Sequence, residues 1–309
     1  MNRSRRVAAL ACALSVLPLA PAASPRIHDT RRPTGVAGAV ADSALHTSVR
    51  EALGSSGNLR ALFGTREQWA KSPLFGPLLA RPAYAEPGVH LLGLPAPDGD
   101  SIVVVTLVPF PASRATRHER YRVGRWPTRG LSASDPRYAV PAGFIPVTEE
   151  NATTAVSKRF RLGDFLTHDQ QAVWPKVLVL RPVLLDKLEL IAEALELRGL
   201  PTRLHIMSGF RTPQYNAQGV GAKGGRASES RHMYGDAADV FVDADGDGMM
   251  DDLNGDGRVT LRDAQLLLSV AEEVEAEHPE LVGGLSAYPA NAAHGPFVHV
   301  DVRGTRARW

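Results

Sequence analysis

The chain has 309 residues, 44% of them hydrophobic and 22% charged, with a formal net charge of +2. That length suits one large domain or two small ones, and the composition is that of a globular protein. The basic residues form no stripe, which argues against a nucleic-acid partner. No apolar run has the length of a membrane span, which argues against an integral membrane protein.

Residues 1–22 read as an export signal. Asn2-Arg3-Ser4-Arg5-Arg6 is basic, Val7 to Leu19 is apolar, and Ala20-Pro21-Ala22 supplies the small residues of a cleavage site. A secreted or periplasmic location in the cell envelope follows. The one cysteine, Cys12, falls inside this signal. Ala9 stands where a lipid-attachment motif prefers Leu, so Cys12 reads as incidental rather than lipidated. The mature chain then has no thiol, and any zinc site must use histidine and carboxylate. Residues 23–45, rich in Pro, Ala, Arg and Thr without a period, read as a disordered linker.

Residues 46–150 read as a helical segment followed by a small β-rich module. Ser48 to Leu53 and Leu59 to Phe63 carry short helical patterns. From about residue 86, Val89 to Leu94 and Ser101 to Val108 are β-rich runs around a Pro95–Asp100 loop, and Tyr121 to Gly124 is a further strand. No residues in this module converge on a nameable chemistry.

Residues 159–309 read as an α+β unit. Pro182 to Leu197 predicts an amphipathic helix, with Leu184, Leu188, Ile191 and Leu195 on one face and Gly199 past its end. Leu204 to Met207 and Ala237 to Val242 predict strands, Leu261 to Val274 a second helix, and Phe297 to Val302 a closing strand.

Three segments carry chemistry. They are Ser208-Gly209-Phe210-Arg211-Thr212-Pro213, the run from Ser230 to Asp239, and His294-Gly295-Pro296-Phe297-Val298-His299-Val300-Asp301. A hydrolytic zinc takes three protein ligands and keeps one open position. His232 and Asp239 lie seven apart across a glycine turn, and His299 on the last strand supplies a third ligand. Two imidazoles and one carboxylate leave a net positive metal, able to draw the pKa of bound water to ~7. The other histidines outside these segments read as surface or core residues.

These segments, in this order, resemble the zinc D-Ala-D-Ala carboxypeptidase family of bacterial cell-wall peptidases. The resemblance covers about half the chain, residues 159–309. It implies a small α+β domain with an antiparallel sheet, a fold shared with the hedgehog signalling domain. It also implies a zinc metallopeptidase that cleaves peptide bonds in peptidoglycan stem peptides through a zinc-activated water, as a carboxypeptidase or an endopeptidase. His232, Asp239 and His299 match the family's zinc ligands. Arg211 matches an arginine that polarises the scissile carbonyl, and His294 matches an active-site histidine. Dipeptidase members place a Glu in a Glu-x-x-His arrangement; this chain has Pro296 and Val298 there and no such Glu. The general base therefore falls to His294 first and Asp301 second, although Asp301 fits equally a partner behind His299. The fold also has non-catalytic relatives, so a metal-stabilised wall-binding protein is the alternative. A monomer is expected.

A second metal signal lies at residues 243–263. Asp252, Asn254, Asp256, the Arg258 carbonyl, Thr260 and Asp263 follow the D-x-[DN]-x-[DN]-G loop of EF-hands and dockerin repeats, which binds calcium through alternating oxygens. An overlapping first run, Asp243, Asp245, Asp247 and Asp251, is weaker, with Asn254 at its twelfth position. One or two calcium ions are expected. Because the loop is internal to the unit, pairing with a cohesin is not.

Overall fold

The computed structural model describes residues 54–73, 76, 86–95, 101–110, 116–128, 130, 134–221 and 224–309. The expected export signal, the linker, Ser48 to Leu53 and the loop residues 96–100 lie outside them. The described chain is mixed α+β, with four helices, two five-stranded sheets and a two-stranded ribbon. No described helix is long and apolar enough to cross a membrane.

The first sheet is organised around β3 (Ser101–Pro109). Val103, Val104 and Val105 are all buried, so both of its faces are covered. β2 (Gly88–Pro95) pairs with it antiparallel, as the hairpin pattern predicts. β1 (Ala61–Thr65) pairs with it in parallel, Ala61 opposite Val103 and Thr65 opposite Leu107. The helical expectation for Leu59 to Phe63 is therefore wrong. A run this short cannot set its own period, and the open edge of β3 offered its backbone a ladder. A capping box at Thr65 and Gln68 starts α1 (Arg66–Lys71) directly after the strand.

The strand expected at Tyr121 to Gly124 shrinks to β5 (Tyr121–Arg122), which pairs only with β4 (Arg117–His118). The amides of Val123 and Gly124 both turn onto the Thr116 carbonyl, which ends the ladder. β6 (Gly143–Val147) joins β3 at Val108–Pro109, and β7 (Lys176–Leu178) pairs beyond β6. The first sheet thus takes a strand from past residue 159.

α2 (Pro182–Leu197) forms as its pattern predicts, with Leu184, Leu188, Ile191 and Leu195 buried. The second sheet runs β12 (Ala307–Arg308), β10 (Gly284–Tyr288), β11 (Phe297–Asp301), β9 (Ala237–Val242), β8 (Leu204–Ser208). Its four longer strands are antiparallel neighbours. α3 (Pro213–Ala217) is short, and α4 (Leu261–Glu277) runs three residues beyond its expected end. Thr260 caps α4 through the Arg262 amide, and Asp263 reaches back to the Thr260 amide. α4 packs on β10 and β11, and α2 packs on α4. Strand alternation gives those helices Ala238, Val240, Leu285, Val298 and Val300, all buried. The opposite face carries polar side chains together with the aromatic rings of Phe297 and Tyr288.

Candidate metal centre

That opposite face carries one cross-strand row. Ser208 stands opposite Asp239, Asp239 opposite His299, and His299 opposite Ser286, in a line across β8, β9, β11 and β10. His232 enters from above, on the 3₁₀ turn Arg231–Tyr234. Gly235 ends that turn at φ 70°, in the left-handed region that favours glycine. A β-carbon at Gly235 would sit 2.8 Å from the Leu180 amide nitrogen, and closer still to the Val179 carbonyl. The turn therefore presses against the backbone between β7 and α2. The Arg181 amide seals the contact by donating to the Gly235 carbonyl, 2.8 Å away.

The three expected ligands come together. His232 Nε2 lies 3.3 Å from His299 Nδ1 and 3.2 Å from Asp239 Oδ1, and His299 Nδ1 lies 2.9 Å from the same oxygen. These side chains are buried and able to hold one metal ion. The triangle can be compared with what zinc requires. With zinc–nitrogen and zinc–oxygen bonds of about 2.0–2.1 Å, a tetrahedron spaces its donor atoms about 3.3 Å apart. The two edges from His232 fit that spacing, and the His299–Asp239 edge, at 2.9 Å, is a hydrogen bond shorter than it.

The surrounding hydrogen bonds fix each donor. His232 Nδ1 meets the Gly209 carbonyl at 2.8 Å, which leaves Nε2 for the centre. His299 is held from behind, with Nε2 3.1 Å from Asp301 Oδ2. Asp301 is itself fully buried. It accepts from the Gly284 amide at 2.7 Å and from the Arg303 guanidinium through both of its oxygens. The carboxylate of Asp239 is split: Oδ1 faces the two imidazoles and Oδ2 accepts from Arg211 Nη2 at 2.6 Å. Arg211 also donates from Nε to Ser208 Oγ at 2.9 Å.

Electrostatics follow from this packing. Burial pushes the His232 imidazole toward its neutral form, the form a metal binds. Burial opposes ionisation of Asp239, yet the two imidazoles hold its carboxyl well below the usual carboxylate range. Burial likewise works against His299 protonation, but its hydrogen bonds to Asp239 and Asp301 raise it overall. Asp301 is depressed despite its burial by its bonds to His299 and Arg303.

The two expected bases separate. Asp301 lies behind His299 with its oxygens bonded to His299, the Gly284 amide and Arg303, the position of a partner carboxylate. His294 is half-buried at the head of β11, with Nε2 2.8 Å from Asn291 Nδ2 and Nδ1 2.8 Å from the Gly295 carbonyl. Its ring packs edge-on against Phe297, two residues before His299 on the same strand face.

The acidic loops also sort themselves. The carboxylates that gather are Asp243, Asp245 and Asp247 of the first run. In the second run, Asp252 accepts the amides of Gly255, Asp256 and Gly257, Asn254 accepts that of Asp256, and Asp263 accepts those of Asn254 and Thr260. Asp256 turns to the Arg258 amide. The second run thus folds as a tight loop into α4, with its oxygens on its own backbone. The first run accepts its own amides in the same way, Gly246 donating to Asp243, Asp247 to Asp245 and Met249 to Asp247.

Three features escaped the sequence reading. Arg303 grips Asp301. Ser208 and Ser286 flank the ligands in the cross-strand row. The β-rich module braces the centre: Trp126 Nε1 donates to the Met233 carbonyl at 2.9 Å, Arg231 Nη1 to the Arg137 carbonyl at 2.9 Å, and the Gln214 amide to the Val123 carbonyl at 3.0 Å. The serine row and the module's contacts have no local signal, because they depend on which distant strands become neighbours; Arg303, by contrast, lies only two residues past Asp301. No protein-family model matches this chain, and comparisons with curated proteins and with solved structures return no match.

Proposed function

We infer that this protein is a secreted zinc metallopeptidase acting on peptidoglycan stem peptides, of the D-Ala-D-Ala carboxypeptidase type that its motifs resemble. The observation that carries the reading is the buried triangle of His232 Nε2, Asp239 Oδ1 and His299 Nδ1, three donors gathered within 3.3 Å of one another. Zinc held there supplies a Lewis acid that polarises a peptide carbonyl and acidifies water. The residues around it have separable tasks. Arg211, fixed by Asp239 and Ser208, aims a guanidinium at charge developing on the scissile carbonyl. Asp301 and Arg303 orient His299. With Asp301 enclosed, His294 is the group left to carry a proton.

A structural metal would need neither Arg211 nor His294, and this favours catalysis over the wall-binding alternative. Calcium belongs to the same reading, held by the 243–263 segment with Asp243, Asp245 and Asp247 as its first ligands. That segment starts four residues after Asp239, so the ion stiffens the exit of β9. The test is incubation of the purified protein with zinc on defined muropeptides, followed by mass spectrometry, with His232→Ala as control. Metal-dependent loss of a terminal residue, or scission of a cross-link, is expected. Absence of cleavage on every stem, with binding retained, would turn the reading to the alternative.

A further inference from the structure

Beside the metal triangle, on the β10 side of the same sheet face, lies a row of aromatic rings. The Tyr288 and Phe297 rings, on paired residues of β10 and β11, stack at 4.7 Å with only 8° between their planes. His294 closes one end, its ring 4.8 Å from Phe297. Trp309 closes the other. Its ring lies 5.3 Å from that of His299, its Nε1 donates to the Tyr288 hydroxyl, and its carbonyl accepts from Ser286 Oγ. Arg303 supports the same indole at 5.3 Å. Despite these anchors Trp309 is 57% exposed. Beyond His294, the exposed side chain of Met249 rests its methyl near Gly295.

Single exposed apolar residues need no explanation. A rigid indole is different when its ring lies against a metal-site imidazole and its polar edge is satisfied by the hydroxyl of a stacked pair. It is a preorganised flat surface, whose negative π-face suits a ring that presents C–H bonds. It is also wider than an alanine methyl requires. We propose that Trp309 and Tyr288 form a saccharide subsite, which stacks a sugar ring of a muropeptide while its stem peptide crosses the sheet to the centre between His299 and Arg211. This rests on the peptidoglycan reading and deepens it. It makes Trp309 a substrate-binding, specificity-determining residue.

The test measures binding to catalytically silent protein, so that it does not depend on cleavage. Calorimetry on metal-free protein and on His232→Ala compares a disaccharide–pentapeptide with the same pentapeptide lacking sugar. The disaccharide form is expected to bind roughly tenfold tighter, the worth of one good aromatic face. Trp309→Ala should erase the difference and Trp309→Phe should keep most of it. Zinc affinity of Trp309→Ala, read by chelator competition, should stay unchanged. Equal affinity for the two ligands, or no binding of either, overturns the subsite. So does a preference for sugar that survives Trp309→Ala, or a loss confined to zinc affinity, which would make Trp309 a seal over His299. If the sugar preference is present but zinc-loaded protein cleaves no stem, the subsite stands and the peptidase reading falls.

Discussion

Replacing Gly235 by alanine tests whether close approach of the turn to the β7–α2 backbone builds the centre. A non-glycine residue in the left-handed region costs about 1–2 kcal/mol. The new β-carbon would fall 2.8 Å from the Leu180 nitrogen and nearer still to the Val179 carbonyl, and these are backbone atoms that cannot rotate away. Forcing them apart adds about 1–3 kcal/mol and strains the Arg181 amide bond to Gly235, worth about 1 kcal/mol. Together these contributions, about 3–6 kcal/mol, lower the folding equilibrium by roughly two to four powers of ten. Gly199, just past α2, is the control: its φ is also positive, at 68°, but a β-carbon there meets nothing within 4 Å. Gly199→Ala should therefore cost only the backbone conformation, about 1–2 kcal/mol. Urea unfolding of the two metal-free variants measures the difference. If Gly235→Ala unfolds within about 0.5 kcal/mol of Gly199→Ala, a surface-level effect, steric approach does not shape the turn.

Three further outcomes follow from contacts around the centre. Asp301→Asn takes a charged partner from His299 and should weaken zinc binding roughly ten- to a hundredfold, read by competition with a chromophoric chelator; unchanged affinity would deny Asp301 its orienting role. Lys187 is fully buried and donates to Glu275 and to the Asp301 carbonyl at 2.8 Å, so Lys187→Met should cost about 3 kcal/mol by leaving Glu275 undercompensated. A shift of the denaturant midpoint too small for that loss would show that Arg308 and the Gly283 amide, which also donate to Glu275, suffice. Burial raises the Tyr234 phenol to about 12. Because this folded-state value exceeds the unfolded one, its stabilisation is complete below about pH 10 and is lost as pH climbs toward 12. Ultraviolet titration should show Tyr234 silent at pH 10, with a Tyr234→Phe subtraction identifying its step; ionisation at the ordinary pH would refute the burial.

The ligands were legible because each belongs to a short segment with its own pattern. His232 and Asp239 bracket one glycine turn, and His299 sits on a strand whose alternation is visible in Phe297 to Val302. The long helix α2 was legible for the same reason, through its periodic leucines, and α4 was placed from its first residue. What stayed hidden depends on register between distant segments. Gly284–Tyr288 has a weak strand composition, so β10 went unread, and with it Ser286, Tyr288 and the seat of Trp309. β1 failed because its partner lies some forty positions away. Nor could spacing alone reveal that the oxygens of the second acidic run would turn onto their own amides.

The bond from Trp126 to the Met233 carbonyl has a consequence for how the protein opens. With β7 in the first sheet and Gly235 against the segment that follows it, the metal-bearing turn is tied to residues far earlier in the chain. Local unfolding of that turn should therefore require the β-rich segments to open with it, as one cooperative unit. The Met233 amide, which donates to the Ser230 carbonyl, and the amides of the β6–β7 ladder would then exchange with solvent in step. A fragment beginning at residue 159 would keep every ligand but lose the pairing partner of β7, so it should exchange fast at the very turn that carries His232.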